Sequence, residues 1–247
     1  MLARSTIVAL WLLCMTSACP ALATSPSDQP VLDPGSLRVM AAGGAVYLDT
    51  DWTWGLEASL RVGVAPGVEL AAPIALGVRI IDAGPGSGIF AGIGIVDLWV
   101  NSDKRVLLCP AVILAGQARM GAHSSLRAGV DITGAEEGFD KGDHQAWIRG
   151  SLAAVVNAGP WVTLAAGFAF QRRLLGGEPP NGIKRTGWVG DARFSIGSVR
   201  AQPFNEIPAI SIHVAPFLDI ILLFRLDIDT DVNTTDSRWL VGLELFR

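Results

Sequence analysis

Residues 54–80 read WGLEASLRVGVAPGVELAAPIALGVRI, and their register decides the kind of protein this is. Before Pro66-Gly67 the even positions are Trp54, Leu56, Ala58, Leu60, Val62 and Val64, while Glu57 and Arg61 occupy odd ones. Afterwards Val68, Leu70, Ala72, Ile74, Leu76, Val78 and Ile80 alternate with a set that contains Glu69 and Arg79. Successive side chains of a strand point to opposite faces, so every charge lies on one side and an apolar stripe on the other. A period of 3.6 would scatter the same charges around a helix. The spacing predicts an antiparallel hairpin of two strands turning at Ala65-Pro66-Gly67. Each strand would have about 11 to 13 residues, roughly twice the globular norm. A tilted strand needs about 9 to 11 to cross a bilayer.

The composition suits either a large core or a membrane protein: of 247 residues half are apolar and 17% are charged. Residues 1–23 have the three parts of a cleaved secretory signal: Arg4, an apolar core from Ile7 to Met15, and Ala21-Leu22-Ala23 as a small-x-small site. Thr16-Ser17-Ala18-Cys19 loosely resembles a lipobox, with Thr where Leu is usual, so lipidation at Cys19 is the lesser alternative. Cleavage after Ala23 removes Cys14 and Cys19, leaving Cys109 with no intramolecular disulfide to form. Cys109 sits between Leu108 and Pro110, which supply no base, and reads as a small strand residue. The formal net charge of −4 becomes about −5 without Arg4, and no basic run exists, which argues against a nucleic-acid partner.

The alternation recurs along the chain. Leu126, Ala128, Val130 and Ile132 oppose Arg127, Gly129 and Asp131; Ile148, Leu152, Ala154 and Val156 oppose Arg149, Ser151 and Ala153. Trp188, Ala192, Phe194 and Ile196 oppose Asp191, Arg193, Ser195 and Gly197. Leu218, Ile220, Leu222, Phe224, Leu226 and Ile228 oppose Asp219, Arg225 and Asp227, with Ile221 and Leu223 as exceptions. The uncharged run from Gly150 to Gln171 is broken midway by Asn157-Ala158-Gly159-Pro160, which makes it a hairpin. With strands at 37–48, 89–101, 105–120, 162–170, 209–214 and 238–246 the total is twelve, ten being the alternative. The expected organisation is a signal peptide (1–23), a short segment (24–35) and one all-β domain (36–247), with no second domain or long repeat.

Such strands build either a soluble barrel or sandwich with its apolar face inside, or a membrane barrel with that face outside. Strand length, the aliphatic face, the small residues of the polar face, and Trp52, Trp54, Trp99, Trp147, Trp161, Trp188 and Trp239 near strand ends favour the membrane barrel. A soluble periplasmic ligand-binding barrel is the runner-up. The signal peptide, the amphipathic strands and the ending WLVGLELFR, with Gly242, Leu243, Leu245 and Phe246, resemble a small Gram-negative outer-membrane β-barrel protein. The last residue, Arg247, follows the aromatic on which such chains usually end. The resemblance spans residues 36–247 and implies an antiparallel up-and-down transmembrane barrel in the outer membrane. Its partners would be membrane lipids and the barrel assembly machinery, which reads the C-terminal strand. If both termini lie in the periplasm, the Ala65–Gly67 and Ala215-Pro216 turns are periplasmic. The same count sends the longer 133–144 and 176–186 connections there too, against the usual pattern.

With the even face in lipid, the lumen receives Glu57, Arg61, Glu69, Arg79, Asp97, Arg119, Arg127, Asp131, Arg149, Asp191, Arg193, Asp219, Arg225 and Asp227. The signs balance, as burial demands, and pairing makes a structural network. Small residues at Gly63, Ala71, Ala75, Gly77, Ala153 and Gly167 leave room for the other reading, a narrow passive channel with weak ion selectivity. A lipid-modifying hydrolase needs a nucleophile, base and orienting acid. Ser211 and His213 share a face with Asp219, but two positions along a strand separate Ser211 from His213 by about 6 to 7 Å. The chain is therefore read as no enzyme, with no catalytic residues, cofactor or metal. Asp229-Thr230-Asp231-Val232-Asn233 lacks the glycine and glutamate of a calcium loop and reads as an acidic surface loop. Gly84-Pro85-Gly86-Ser87-Gly88 leads into β-sequence, not a helix, and is a turn.

Overall fold

The structure is a computed structural model that describes residues 30–247 apart from 49–50, 85, 101–105, 138–143, 176–191 and 230–234. The signal peptide and Cys19, Trp188, Asp191 and positions 230–234 of the acidic stretch lie outside the described residues. Thirteen strands make one sheet: β1 (Leu37–Leu48), β2 (Asp51–Ala65), β3 (Val68–Ala71), β4 (Ile74–Asp82), β5 (Gly88–Val100), β6 (Val106–Arg119) and β7 (Ser124–Glu137) come first. β8 (His144–Asn157), β9 (Val162–Leu175), β10 (Ala192–Gly197), β11 (Ile210–Ala215), β12 (Leu218–Asp229) and β13 (Thr235–Phe246) follow. All pairings are antiparallel, and β13 pairs with both β12 and β1, so the sheet closes. Leu37 and Arg247 exchange both backbone hydrogen bonds at the seam.

The barrel has twelve staves because two departures from the expected strand list cancel. The first lies in the opening stretch. Residues 68–80 are not one strand: β3 stops at Ala71, the chain reverses through Ala72-Pro73, and β4 runs back beside it. Proline has no N–H to give a ladder, which suits it to a reversal. The register pairs Ala71 with Ala75 and Glu69 with Gly77, odd with odd. Parity therefore runs unbroken through the turn, and alternation cannot tell one long strand from two short ones.

The second departure is that β10 and β11 form a single stave. Both pair with β9 on one side and β12 on the other, β10 through Gly197 opposite Gly167 and β11 through Ile210 opposite Leu164. Two residues would continue the strand across that gap. Residues 198–209 stand there instead and fold inward, with 198–208 all buried. They form a strap across the lumen.

The added reversal at Pro73 also sets the polarity of the barrel. The termini share an end with the connections 66–67, 83–87, 120–123, 158–161 and 216–217. The opposite end takes 49–50, 101–105, 138–143, 176–191 and 230–234. The expected periplasmic placement of the 133–144 and 176–186 connections is thus corrected: they join strand ends at the far rim from the termini. The two longest connections, 138–143 and 176–191, lie at the far rim, as the longer loops of outer-membrane barrels lie opposite the termini.

The exterior is an apolar belt. Leu60, Leu70, Leu76, Ile93, Val112, Leu114, Val130, Phe168, Phe194, Ile196, Val241 and Leu243 are all exposed on the outward parity. Trp52, Trp54, Trp161 and Trp239 are exposed as well, whereas Trp147 points inward and packs against the buried Cys109. The exceptions Ile221 and Leu223 are fully buried with Met40, Ala42 and Leu240 in an apolar cluster inside the wall. Apolar outside and ionic inside is the arrangement a bilayer requires, and a closed sheet leaves few backbone groups without partners. The chain is an outer-membrane β-barrel.

Candidate functional site: the filled lumen

The lumen is built in layers from the end that carries the termini. Closest to that end, Arg38 pairs with Glu244 across the β1–β13 seam. Beside them Arg61 Nη2 donates to both carboxylate oxygens of Glu69 at 2.7 Å, and neither side chain has any exposure. The segment before β1 closes this layer. Arg61 Nη2 also donates to the Pro30 carbonyl at 2.6 Å, and the Leu32 N–H donates to Glu69 Oε2 at 2.9 Å. Val31 and Leu32 are buried there. Glycine at 63 is required by this packing, since a Cβ would overlap the Asp33 carbonyl.

The strap occupies the next layer. Ser151 Oγ donates to the Arg200 carbonyl at 2.6 Å, Arg127 Nη1 donates to Gln202 Oε1 at 3.0 Å, and Glu206 accepts from Arg225 and Arg238. Ser198 Oγ accepts from the Phe224 and Ala209 N–H groups and ties the strap's ends to the wall. Phe204 lies on the bare backbone of Gly77 and Gly92: a Cβ would come within 2.6 Å of its ring at Gly77 and 3.0 Å at Gly92. Val199 rests on Gly167 in the same way. The small inward residues thus hold the strap's side chains.

Toward the far rim the ionic network continues. Arg149 Nε donates to Asp131 Oδ2 at 2.9 Å, and Thr133 Oγ1 donates to the other oxygen at 2.7 Å. Arg193 lies 3.9, 3.6 and 3.4 Å from Asp227, Asp229 and Asp236. Arg225 Nε donates to Asp227 Oδ2 at 2.9 Å, and Arg238 lies 2.9 Å from Glu57. Asp229, read as part of a surface loop, is buried in this network. Two of the residues assigned to the lumen stand on the inward parity but at the terminal rim, outside the buried network. Arg119 is exposed at the terminal rim and donates to the Gly121 and Ala122 carbonyls of its own turn. Arg79 is half-buried near that rim with the exposed Asp82. Of Asp97 only the backbone is described, opposite Cys109.

Sequence reasoning missed Arg38, Glu244, Arg238, Asp236 and the whole strap. The first four stand on the inward parity of β1 and β13, where charges in an apolar strand were the available signal. The strap reads as a gap between two strands, and nothing local says which way it folds.

One further cluster lies at the terminal rim. His213 Nδ1 is 2.9 Å from Asp219 Oδ1, and His213 Nε2 is 2.9 Å from Thr163 Oγ1 on β9. Thr163, not Ser211, is the hydroxyl that reaches the imidazole. The Thr163 hydroxyl donates to Asn157 Oδ1 at 2.9 Å.

No family model and no curated protein matches the chain. Among solved structures, OmpT of Vibrio cholerae is similar at 8% identity and a TM-score of 0.38, covering 88% of this chain and 99% of that one. The NanC porin aligns at 12% identity and a TM-score of 0.45 over 85% of this chain and 98% of its own. An outer-membrane channel from Pseudomonas putida F1 aligns at 10% identity and a TM-score of 0.45 over 88% and 96%. These likenesses are too distant to bear on function.

Proposed function

We propose that this outer-membrane barrel is a structural envelope protein held shut by its own chain, not an open pore. The observation that carries the reading is the strap, twelve residues folded inward where two would complete the wall, bonded to β7, β8, β12 and β13 and packed through Phe204 against Ala111 and Ile113 of β6. Ions crossing along the axis would have to part Glu206 from Arg225 and Arg238, and then displace Pro30–Leu32 from Arg61 and Glu69. Breaking one side of a buried pair costs about 3–5 kcal/mol, so both barriers are large against thermal energy.

Planar-bilayer recording tests this. The intact protein is expected to be silent, and a variant with residues 198–209 replaced by Leu-Ser, which restores the parity of the stave, is expected to conduct with weak ion preference. Steady, well-defined channels from the intact protein would overturn the reading.

We further propose that Thr163, His213 and Asp219 form a structural rivet and that the chain is not an enzyme. Thr163 is 5% exposed, and its hydroxyl is shared between Asn157 and His213 at 2.9 Å each, which closes it in and leaves a substrate no approach. Replacing His213 with Asn is expected to lower the unfolding midpoint in urea. Ester or amide hydrolysis by purified protein that disappears in that variant would refute the assignment.

A further inference from the structure

The lipid-facing wall carries a cation. Of the charged side chains described on the strands, Arg172 alone takes the outward parity, in line with Leu164, Phe168 and Phe170 of β9, and it is exposed. Its cross-strand neighbours on that face are Ile148 of β8 and Ala192 of β10. Among the described residues no acid pairs with its guanidinium.

The height of Arg172 says what it meets. Trp161 is exposed at the terminal rim, just before β9. From there to Arg172 the chain climbs about 26–30 Å, at about 3.3 Å per residue and a tilt of about 35–45°. That crosses the whole apolar band of about 25 Å and puts the guanidinium among the headgroups of the leaflet at the far rim.

The wall below it is shaped for a chain. Phe170 stands opposite Phe194 of β10, with ring centroids 4.9 Å apart, and on its other side opposite Gly150 of β8. Val130 of β7 flanks Gly150 in turn. A Cβ at Gly150 would meet nothing within 4 Å, so bare backbone floors a shallow furrow between Val130 and Phe170, both exposed to the bilayer.

A cation at headgroup depth above an apolar furrow complements an amphiphile with its anion and its chain in the same order. Membrane lipids carry that charge on phosphate, whose oxygens match the parallel N–H donors of a guanidinium. A monoester leaves three oxygens free, whereas the diester of a zwitterionic lipid is countered by its own ammonium. We propose that Arg172 and the Gly150 furrow form an exterior binding site for a lipid with a phosphate monoester head. The head bonds to Arg172, and one acyl chain lies along Gly150 between Val130 and Phe170. The site is on the outside of the wall and is independent of whether the lumen conducts.

Full-length protein in phosphatidylcholine vesicles, with either phosphatidic acid or phosphatidylcholine carrying a diazirine high on one chain, tests the site by photolabelling and peptide mapping. Phosphatidic acid is expected to label Val130, Gly150 or Phe170 in preference to Leu56 and Leu60 of β2, across the barrel. The preference should be about tenfold, equivalent to about 1.4 kcal/mol of binding. Phosphatidylcholine should show none. Arg172→Gln and Gly150→Leu, both on the open exterior, should each bring the phosphatidic acid preference to near parity. Uniform labelling, a preference that survives both substitutions, or the same preference from phosphatidylcholine would overturn the proposal. So would loss of the preference to an equal concentration of inorganic phosphate, which would make this a site for the free ion. If one variant does not fold, as judged by heat-modifiable gel mobility, the other decides.

Discussion

At the scale of the residue, the lumen is governed by the cost of burying charge. Arg61 and Glu69 have no exposure, and their pairing with each other, the Pro30 carbonyl and the Leu32 N–H is what makes that burial tolerable. Removing one member strands the other, so Glu69→Ala should destabilise the barrel by about 3–5 kcal/mol in a urea titration. Replacing both with methionine should cost far less, because no charge is left behind. Equal losses from the single and double changes would show that the pair is not the source of the stability. This part of the site was legible in the sequence, since an odd-position charge in an amphipathic strand has only the interior to occupy. Which charges meet was not, because pairs such as Arg38–Glu244 join residues from opposite ends of the chain.

At the scale of the element, the strap and the β3–β4 reversal are the two departures from a plain barrel. Both escaped a reading by alternation for the same reason: period-two patterning reports which face a side chain takes and is blind to where a strand ends. Pro73 was the available clue, since it removes a ladder donor in the middle of an apparent strand. The strap is anchored chiefly by Glu206 at two arginines. A cysteine at Asn205, in a Cys109→Ala background, should react slowly with a hydrophilic maleimide because the position is buried. Adding Glu206→Ala should accelerate that labelling about tenfold or more if the contact contributes upward of about 1.4 kcal/mol, as charge-assisted bonds do. An unchanged rate would mean that Phe204 and Val199, seated on the bare backbones of Gly77 and Gly167, hold the strap without it.

At the scale of the whole molecule, an even number of staves puts both termini at one rim, opposite the two longest connections. By the usual pattern of such barrels that rim is expected to face the periplasm. Cysteines introduced at Asp140 and Asn181, in the longer connections, should be labelled by an impermeant reagent on intact cells. One at Ala122 should be labelled only after the outer membrane is breached. The reverse pattern would invert the barrel.

Alternation over long strands was enough to indicate an all-β fold with one apolar and one ionic face, and strand length with the uninterrupted aliphatic face favoured lipid outside and ions inside. Those properties are local, because each residue's face follows from its parity and its polarity. The tertiary structure alone decided how the twelve staves are made up and that residues 198–209 fold inward across the lumen. Each of these depends on which strand lies beside which, and non-local pairing leaves no periodic trace in the chain.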